Sequence, residues 1–484
     1  MSWIPCWMLV AMLLLPAGQE RANPWKDRVA DAVRRAERQR TIAAYLEALD
    51  VAWRADDWQA GLKLARAALA AYPDADKLRG HIARALWRAG KLDEAERVVD
   101  GLDPGTADRV ALMTLSEVEL ARGRLARARA AAQRLEQLGL ESAMEYYHVL
   151  AIRLTDDRLD GLARLLREAQ QRINPDNGYP EIYLPEVISG LPEFFEAIGT
   201  EPINQLAGYG SADMPLLGML RLPYCQALLN GQGPYRLIVD TGGSITLALD
   251  DSVARELKLR SYGSASVRGV SGTQESQQSL VDELRVGEIT CRRVMTRTLQ
   301  MPQLLDAFAD GIIGTGVFGA ARMTMDFAHA RLVVAPSSPA DAAGQAAEVR
   351  VVGDAKLLVP LELEGRYAIG LLDSGADVAA LSPTCLKELF PDRAPTIVPA
   401  AGLGVGVGEG GDVGISLGPG VRLRLWGRTY ENYSGIGLDV LDTVLSPILG
   451  VQTQVLIGMP VFRDMNSWTI DFPQRKMWVE WIQH

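Results

Sequence analysis

Two patterns of apolar and polar positions divide the chain. From about Ala30 to Ile173 apolar residues recur at helical spacing among Ala, Leu, Arg and Glu, which predicts a run of amphipathic helices. Within it a phrase returns: "WRADDW" begins at Trp53, "WRAGKL" at Trp87, "LARGRL" at Leu120 and "LTDDRL" at Leu154, in steps of 34, 33 and 34 residues. Each sets a large apolar residue, a polar turn and a second large apolar residue five positions on. A period of that length predicts stacked helix pairs, with an irregular helical bundle as the alternative. From Asn174 to Met214, Pro, Gly and aromatic residues break the pattern, leaving short helical hints such as "LPEFFEAI". Beyond Pro215 the apolar runs shorten to strand length between Gly turns, as in "YCQALLNGQGPYRLIVD", where Asn230-Gly231 predicts a hairpin. A small, polar stretch, "PSSPADAAGQAAE" from Pro336 to Glu348, divides this β region into two comparable pieces.

The pieces agree in order and spacing. "LIVDTGGS" (Leu237 to Ser244) and "GLLDSGAD" (Gly370 to Asp377) each run an apolar strand into Asp, a hydroxyl residue and Gly, and the two aspartates stand 133 residues apart. Alone, either stretch would read as a turn closing a strand. After each, a short helical segment follows, "VARELKL" at Val253 and "CLKELF" at Cys385, offset 13 and 12 residues from the aspartate. Next come Gly-rich hairpin candidates, "RGVSGTQES" and "GVGVGEGGDVG", then "GIIGTGVF" and "VLIGMPVF", then the closing phrases "MTMDFAHARLVV" and "WTIDFPQRKMWV". An internal duplication is the simplest account.

The Asp loops and the four ordered elements that follow in each copy resemble the retropepsin-like aspartic proteases, here as two copies in one chain from about Pro215 to His484. The helical phrases resemble tetratricopeptide repeats, although most units lack the full set of Gly, Ala and Pro signposts. The first resemblance implies that Asp240 and Asp373 are the catalytic pair, that no cofactor or metal is needed, and that the substrate is a protein or peptide. The chemistry agrees without the name: peptide hydrolysis by water needs a base and an acid, and two carboxyls about 3 Å apart that share one proton supply both. Like charges so close cannot both ionise, so the pair titrates as a unit. Thr241 and Ser374 offer hydroxyls to hold the two loops in register, while Gly242 and Gly375 permit close approach. Ser244 and Asp377, two positions further, are candidates for orienting substrate, a helix-capping or turn role being the alternative for Ser244. The Gly-rich hairpins are expected to be flaps that close over an extended peptide.

One departure bears on pH. Pepsin-like enzymes carry a hydroxyl residue directly after Asp-Thr-Gly, and Gly243 and Ala376 here have none. With fewer bonds to the ionised form, the pair's pKa values should sit higher and the optimum nearer neutrality than strong acid.

Composition narrows the setting. A formal charge of −10 without long runs of one sign argues against a nucleic-acid groove or an anionic membrane surface. The apolar run Trp7 to Pro16 ahead of Ala17 and Gly18 has the form of an export signal and is too short to span a bilayer, so a periplasmic or secreted protein with no stable transmembrane anchor is expected. Beyond the signal only Cys225, Cys291 and Cys385 remain, too few for a disulfide framework, with Cys225 and Cys291 the candidates for a single pair. His81, His148, His329 and His484 show no metal-ligand spacing. The expected organisation is a multidomain α and β chain: signal peptide 1–22, tetratricopeptide-like helical repeat domain 23–175, connector 176–214, first lobe 215–338, linker 339–356 and second lobe 357–484, the two lobes forming an all-β bilobal domain. The expected function is an exported aspartic endopeptidase whose helical repeats recruit a protein substrate or partner. The alternative is a protease-like scaffold that binds but does not cut.

Overall fold

A computed structural model describes residues 23–483, apart from 219–220, 244–245, 270–271, 302–307, 354, 393–395, 400–408 and 411–413. The expected signal segment 1–22, Ser244 and most of "GVGVGEGGDVG" therefore lie outside the described residues. The chain forms two compact units, one built on 18–200 with 444–452, the other on 201–443 with 453–484.

The helical unit repeats as a helix pair. First helices Ile42–Arg54, Asp76–Arg88, Arg109–Ala121 and Ala143–Thr155 alternate with second helices Trp58–Ala71, Leu92–Asp100, Leu125–Leu138 and Leu162–Arg172. Their starts keep the spacing of the sequence phrase, and the phrase's second apolar residue opens the second helix at Trp58, Leu92 and Leu125. Thr41, Asp108 and Ser142 cap first helices by accepting a backbone N–H three residues on, which fixes where each begins. Small side chains let neighbouring helices approach: Ala65, Ala68, Ala83, Ala95, Ala128 and Ala131 are fully buried between them. The same unit includes the segment Val444–Gln452, in which Gln452 N–H donates to the Arg88 carbonyl (2.8 Å) and the Pro447 carbonyl accepts from the Tyr179 hydroxyl (3.0 Å).

The β unit is the duplication made visible. In the first half Leu222–Leu229 and Gln232–Asp240 form a hairpin, and Gly311–Gly314 lies parallel to the second of these strands with Gly314 opposite Asp240. Leu247–Asp250 runs antiparallel to Gly311–Gly314, and Ile289–Leu299 parallel to Leu247–Asp250. The second half repeats every step: hairpin Lys356–Leu363 with Arg366–Leu372, parallel Val455–Ile457, antiparallel Ala380–Leu381, parallel Ile436–Leu438. Inserting a parallel strand beside the Asp strand buries it on both faces, which is why the two strands read "LIVD" and "IGLLD" without alternation.

The closing phrases join the halves. Ala321–Asp326 pairs antiparallel with Met465–Asp471, so that Thr324 meets its own duplicate Thr469 with the two hydroxyls 2.8 Å apart. A local twofold axis passes through that pair. Fully buried Trp468, Phe318 and Phe462 belong to the core beneath.

Some of the structure departs from the sequence reading. Strands begin at Gln205, before Pro215, and cover the edges of the later sheets. The stretch 339–356 is more than a tether: Gln345–Ala347 pairs with Lys476–Trp481, and Arg350–Val352 with the strand that starts at Lys356. Gln345–Ala347 is too weakly apolar to carry an alternation by which to be recognised, and Arg350–Val352 is only three residues long. Cys225, Cys291 and Cys385 are all buried free thiols, so the candidate pair is not a disulfide. The first flap candidate is a hairpin of Gly263–Gly269 with Gly272–Val286, and Glu409–Gly410 from the second flap stretch pairs with its Gly272 and Thr273.

Candidate functional site

Asp240 ends its strand because the chain must turn there, and the turn is made by the residues that follow. The Gly242 N–H donates to Asp240 Oδ1 (2.7 Å) and the Gly375 N–H to Asp373 Oδ1 (3.0 Å), the same local turn in each half. The two loops are then laced to each other. Thr241 N–H donates to Ser374 Oγ (3.0 Å) and Ser374 N–H to Thr241 Oγ1 (2.9 Å), while Thr241 Oγ1 donates to the Leu372 carbonyl (2.9 Å) and Ser374 Oγ to the Val239 carbonyl (2.8 Å). Each hydroxyl thus accepts from the opposite loop and donates to the opposite strand, and all four bonds are buried. Thr241 and Ser374 are each other's duplicates, so the local axis runs through this junction as well.

The glycines bring the carboxyls together. A Cβ on Gly242 would stand 2.5 Å from Asp373 Cγ, and one on Gly375 would stand 2.5 Å from Asp240 Cγ. Each carboxyl therefore rests on the glycine of the opposite loop, where no side chain fits. Asp240 and Asp373 are almost inaccessible, at 1% and 0% exposure. Among the described residues their Oδ2 atoms have no protein hydrogen-bond donor.

Burial raises the pKa of both carboxyls. For Asp373 the neighbouring Asp240 carboxyl adds to burial and pushes it well above the usual carboxylate range. For Asp240 burial is opposed by the Lys356 ammonium, by Asp373 and by the Gly242 and Gly243 N–H groups, so the rise is smaller. Such a pair holds one proton across a wide range of pH.

The absence of a hydroxyl after the first Asp-Thr-Gly has a packing cause. A Cβ on Gly243 would meet Gly314 Cα at 2.9 Å and the Asp240 carbonyl at 3.0 Å. On the other side Ala376 is fully buried, and its carbonyl accepts from Met459 N–H at 2.8 Å. Gly458 shows why apolar-apolar-Gly is needed behind the loop: a Cβ there would be 1.9 Å from the Val378 carbonyl. Asp377 is bound by the Arg463 guanidinium, so this candidate for orienting substrate is anchored to the protein. Burial still raises its pKa, and Arg463 and Arg221 hold it down.

Lys356 escaped the sequence reading. It is buried, 5% exposed, and its Nζ donates to the Gly243 carbonyl in the opposite half. The signal was present: superposing the two halves sets a lysine where the first has Leu222, at the head of an otherwise apolar strand. Among the described residues no group of His, Cys, Asp and Glu is placed to hold a metal ion, and no helix is long and apolar enough to cross a membrane.

Comparison with known proteins agrees with this layout. No curated protein matches the chain. Residues 52–114 match a tetratricopeptide repeat family model, and residues 225–317, which include Asp240 and the strand parallel to it, match an aspartyl protease family model. The chain thus carries a tetratricopeptide repeat region followed by an aspartyl protease family domain.

Proposed function

We propose that the β unit is a single-chain, retropepsin-like aspartic endopeptidase, exported to the periplasm or secreted, whose helical repeats recruit a protein substrate or partner. The observation that carries it is the pair of buried carboxyls, each seated on the other loop's glycine and cross-laced through Thr241 and Ser374. A scaffold that only binds peptides has no use for two adjoining buried carboxyls that share a proton at its centre. In the proposed reaction a water held between Asp240 and Asp373 loses a proton to the ionised carboxylate as its oxygen bonds to the scissile carbonyl carbon. The protonated carboxyl gives its proton to the carbonyl oxygen, so the tetrahedral intermediate is neutral. Collapse breaks the C–N bond: the amine nitrogen takes the proton held by one carboxyl while a hydroxyl of the intermediate returns its proton to the other, so the singly protonated pair is restored. The hairpin Gly263–Gly269 with Gly272–Val286 would cover an extended peptide and exclude bulk water.

The raised pKa of both carboxyls supports an optimum nearer neutral than strongly acid pH. The test is cleavage of a peptide library by the mature protein and by its Asp240→Asn and Asp373→Asn variants, with a statine-type transition-state analogue as inhibitor. Each variant is expected to lose at least about a thousandfold in kcat/KM, the scale of a missing acid or base. Cleavage that survives either substitution rejects the dyad. Analogue binding without cleavage by the unaltered protein would favour the scaffold.

A further inference from the structure

Twofold symmetry would leave the shared proton with no preferred owner, and Lys356 breaks that symmetry. The hairpin registers pair Tyr224 with Ile238 in the first half and Leu358 with Leu371 in the second. Continuing each ladder by two residues places Leu222 opposite Asp240 and Lys356 opposite Asp373, so the two occupy the same position in the duplicated fold. Both are buried, one with an alkyl side chain and the other with a cation. The lysine does not stay in its own half: its Nζ donates to the carbonyl of Gly243, three residues along the loop that begins with Asp240.

The leading charged influences on the dyad are the two carboxyls themselves and Lys356. Lys356 is the largest influence opposing burial at Asp240 and the smallest at Asp373. Further along the second loop, Asp377 is engaged by Arg463 and also feels Arg221. Among the described residues Lys356 is thus the leading cation set against Asp240.

We propose that Lys356 is the positioning residue for the shared proton: its ammonium, tied to the Asp240 loop, keeps Asp240 ionised as the base and leaves the proton on Asp373 as the acid. This rests on the reading of the pair as a peptidase dyad. The consequence is a site whose base and acid are assigned before substrate arrives, and which stays singly ionised to lower pH than burial alone would allow.

The experiment compares the full-length mature protein with Lys356→Met, which keeps the length of the stem and loses the charge, and Lys356→Arg, which keeps the charge. Carbon-13 NMR of Asp-labelled protein, with resonances assigned through Asp240→Asn and Asp373→Asn, reads which carboxyl carries the proton. In the unaltered protein Asp240 is expected to titrate first. In Lys356→Met the first titration should move up by about one pH unit or more, the effect of a near opposite charge, and the acid limb of kcat/KM should move with it. Lys356→Arg should stay within a few tenths of a unit of the unaltered protein. A proton found on Asp240 in the unaltered protein overturns the proposal even if no variant folds. An unmoved titration in folded Lys356→Met, or an equal shift in Lys356→Arg, also overturns it and leaves a packing role. Should the protein cleave nothing, the peptidase reading fails by itself, and the NMR titrations still decide what Lys356 does.

Discussion

A glycine hydrogen is what allows two carboxyls to meet here. Gly242 and Gly375 each leave room for the aspartate of the other loop, and a side chain at either would meet that buried carboxyl. Gly242→Ala is therefore expected to push Asp373 away from its partner while leaving both aspartates in the chain. A displacement of about 1 Å at reacting groups costs on the order of a hundredfold in rate, and overpacking of a tight site costs about 1–3 kcal/mol. Kinetics and denaturant unfolding of the same variant should show both losses, whereas an unchanged rate would mean that the carboxyls do not act as a pair. At this scale the sequence was informative about identity: Asp240, Thr241, Gly242 and their duplicates stood out because the order Asp, hydroxyl, Gly recurs after an apolar run in both halves. It could not show that Gly243 lacks a hydroxyl because Gly314 packs against it, since that contact spans two strands joined only in the folded sheet.

Elements show the same division. Helix starts in the repeat unit were legible to within a residue at Trp58, Leu92 and Leu125, because a polar turn between large apolar residues is a local signal. What the sequence concealed is the polar interior of that unit. Glu117, on the helix Arg109–Ala121, accepts a hydrogen bond from Trp87 Nε1 (3.2 Å), and desolvation pushes its carboxyl up to about 7. The neighbouring Arg84 and Arg88 cations oppose the rise without cancelling it. An acid with a folded pKa above its ordinary 4.5 favours the fold in its protonated form, so its contribution is fully present below about 4.5 and is lost as pH rises through about 7. Glu117→Gln keeps the acceptor for Trp87 and cannot ionise. The variant is expected to melt a few degrees higher than the unaltered protein at pH 8, and the difference should vanish near pH 4.5, as read by thermal unfolding across that range. An equal effect at both pH values would assign the gain to something other than ionisation. The short strand Gln345–Ala347 makes the complementary point, because nothing local marks it and only its partner makes it a strand.

For the whole molecule, the decisive fact is that both halves of the site lie in one chain. Thr324 with Thr469 and Thr241 with Ser374 mark a twofold relation that a pair of identical chains would otherwise supply. Cleavage should accordingly need no association step: specific activity is expected to stay constant on dilution from micromolar to nanomolar, read with a fluorogenic peptide. A fall in proportion to concentration would show that a second copy completes the site. Much of this was determined by the sequence itself. The duplication, the two Asp-hydroxyl-Gly loops, the 34, 33 and 34 residue helical period and the change from helical to strand spacing are all periodic or repeated signals, and repetition survives in one dimension. Only the tertiary structure decided that the two loops are laced hydroxyl to backbone, that Asp377 is held by Arg463, and that a lysine in what read as a linker reaches across to Gly243. Those contacts join residues more than eighty positions apart, and no spacing rule encodes them, because their partners are chosen by how two sheets fold onto a shared axis.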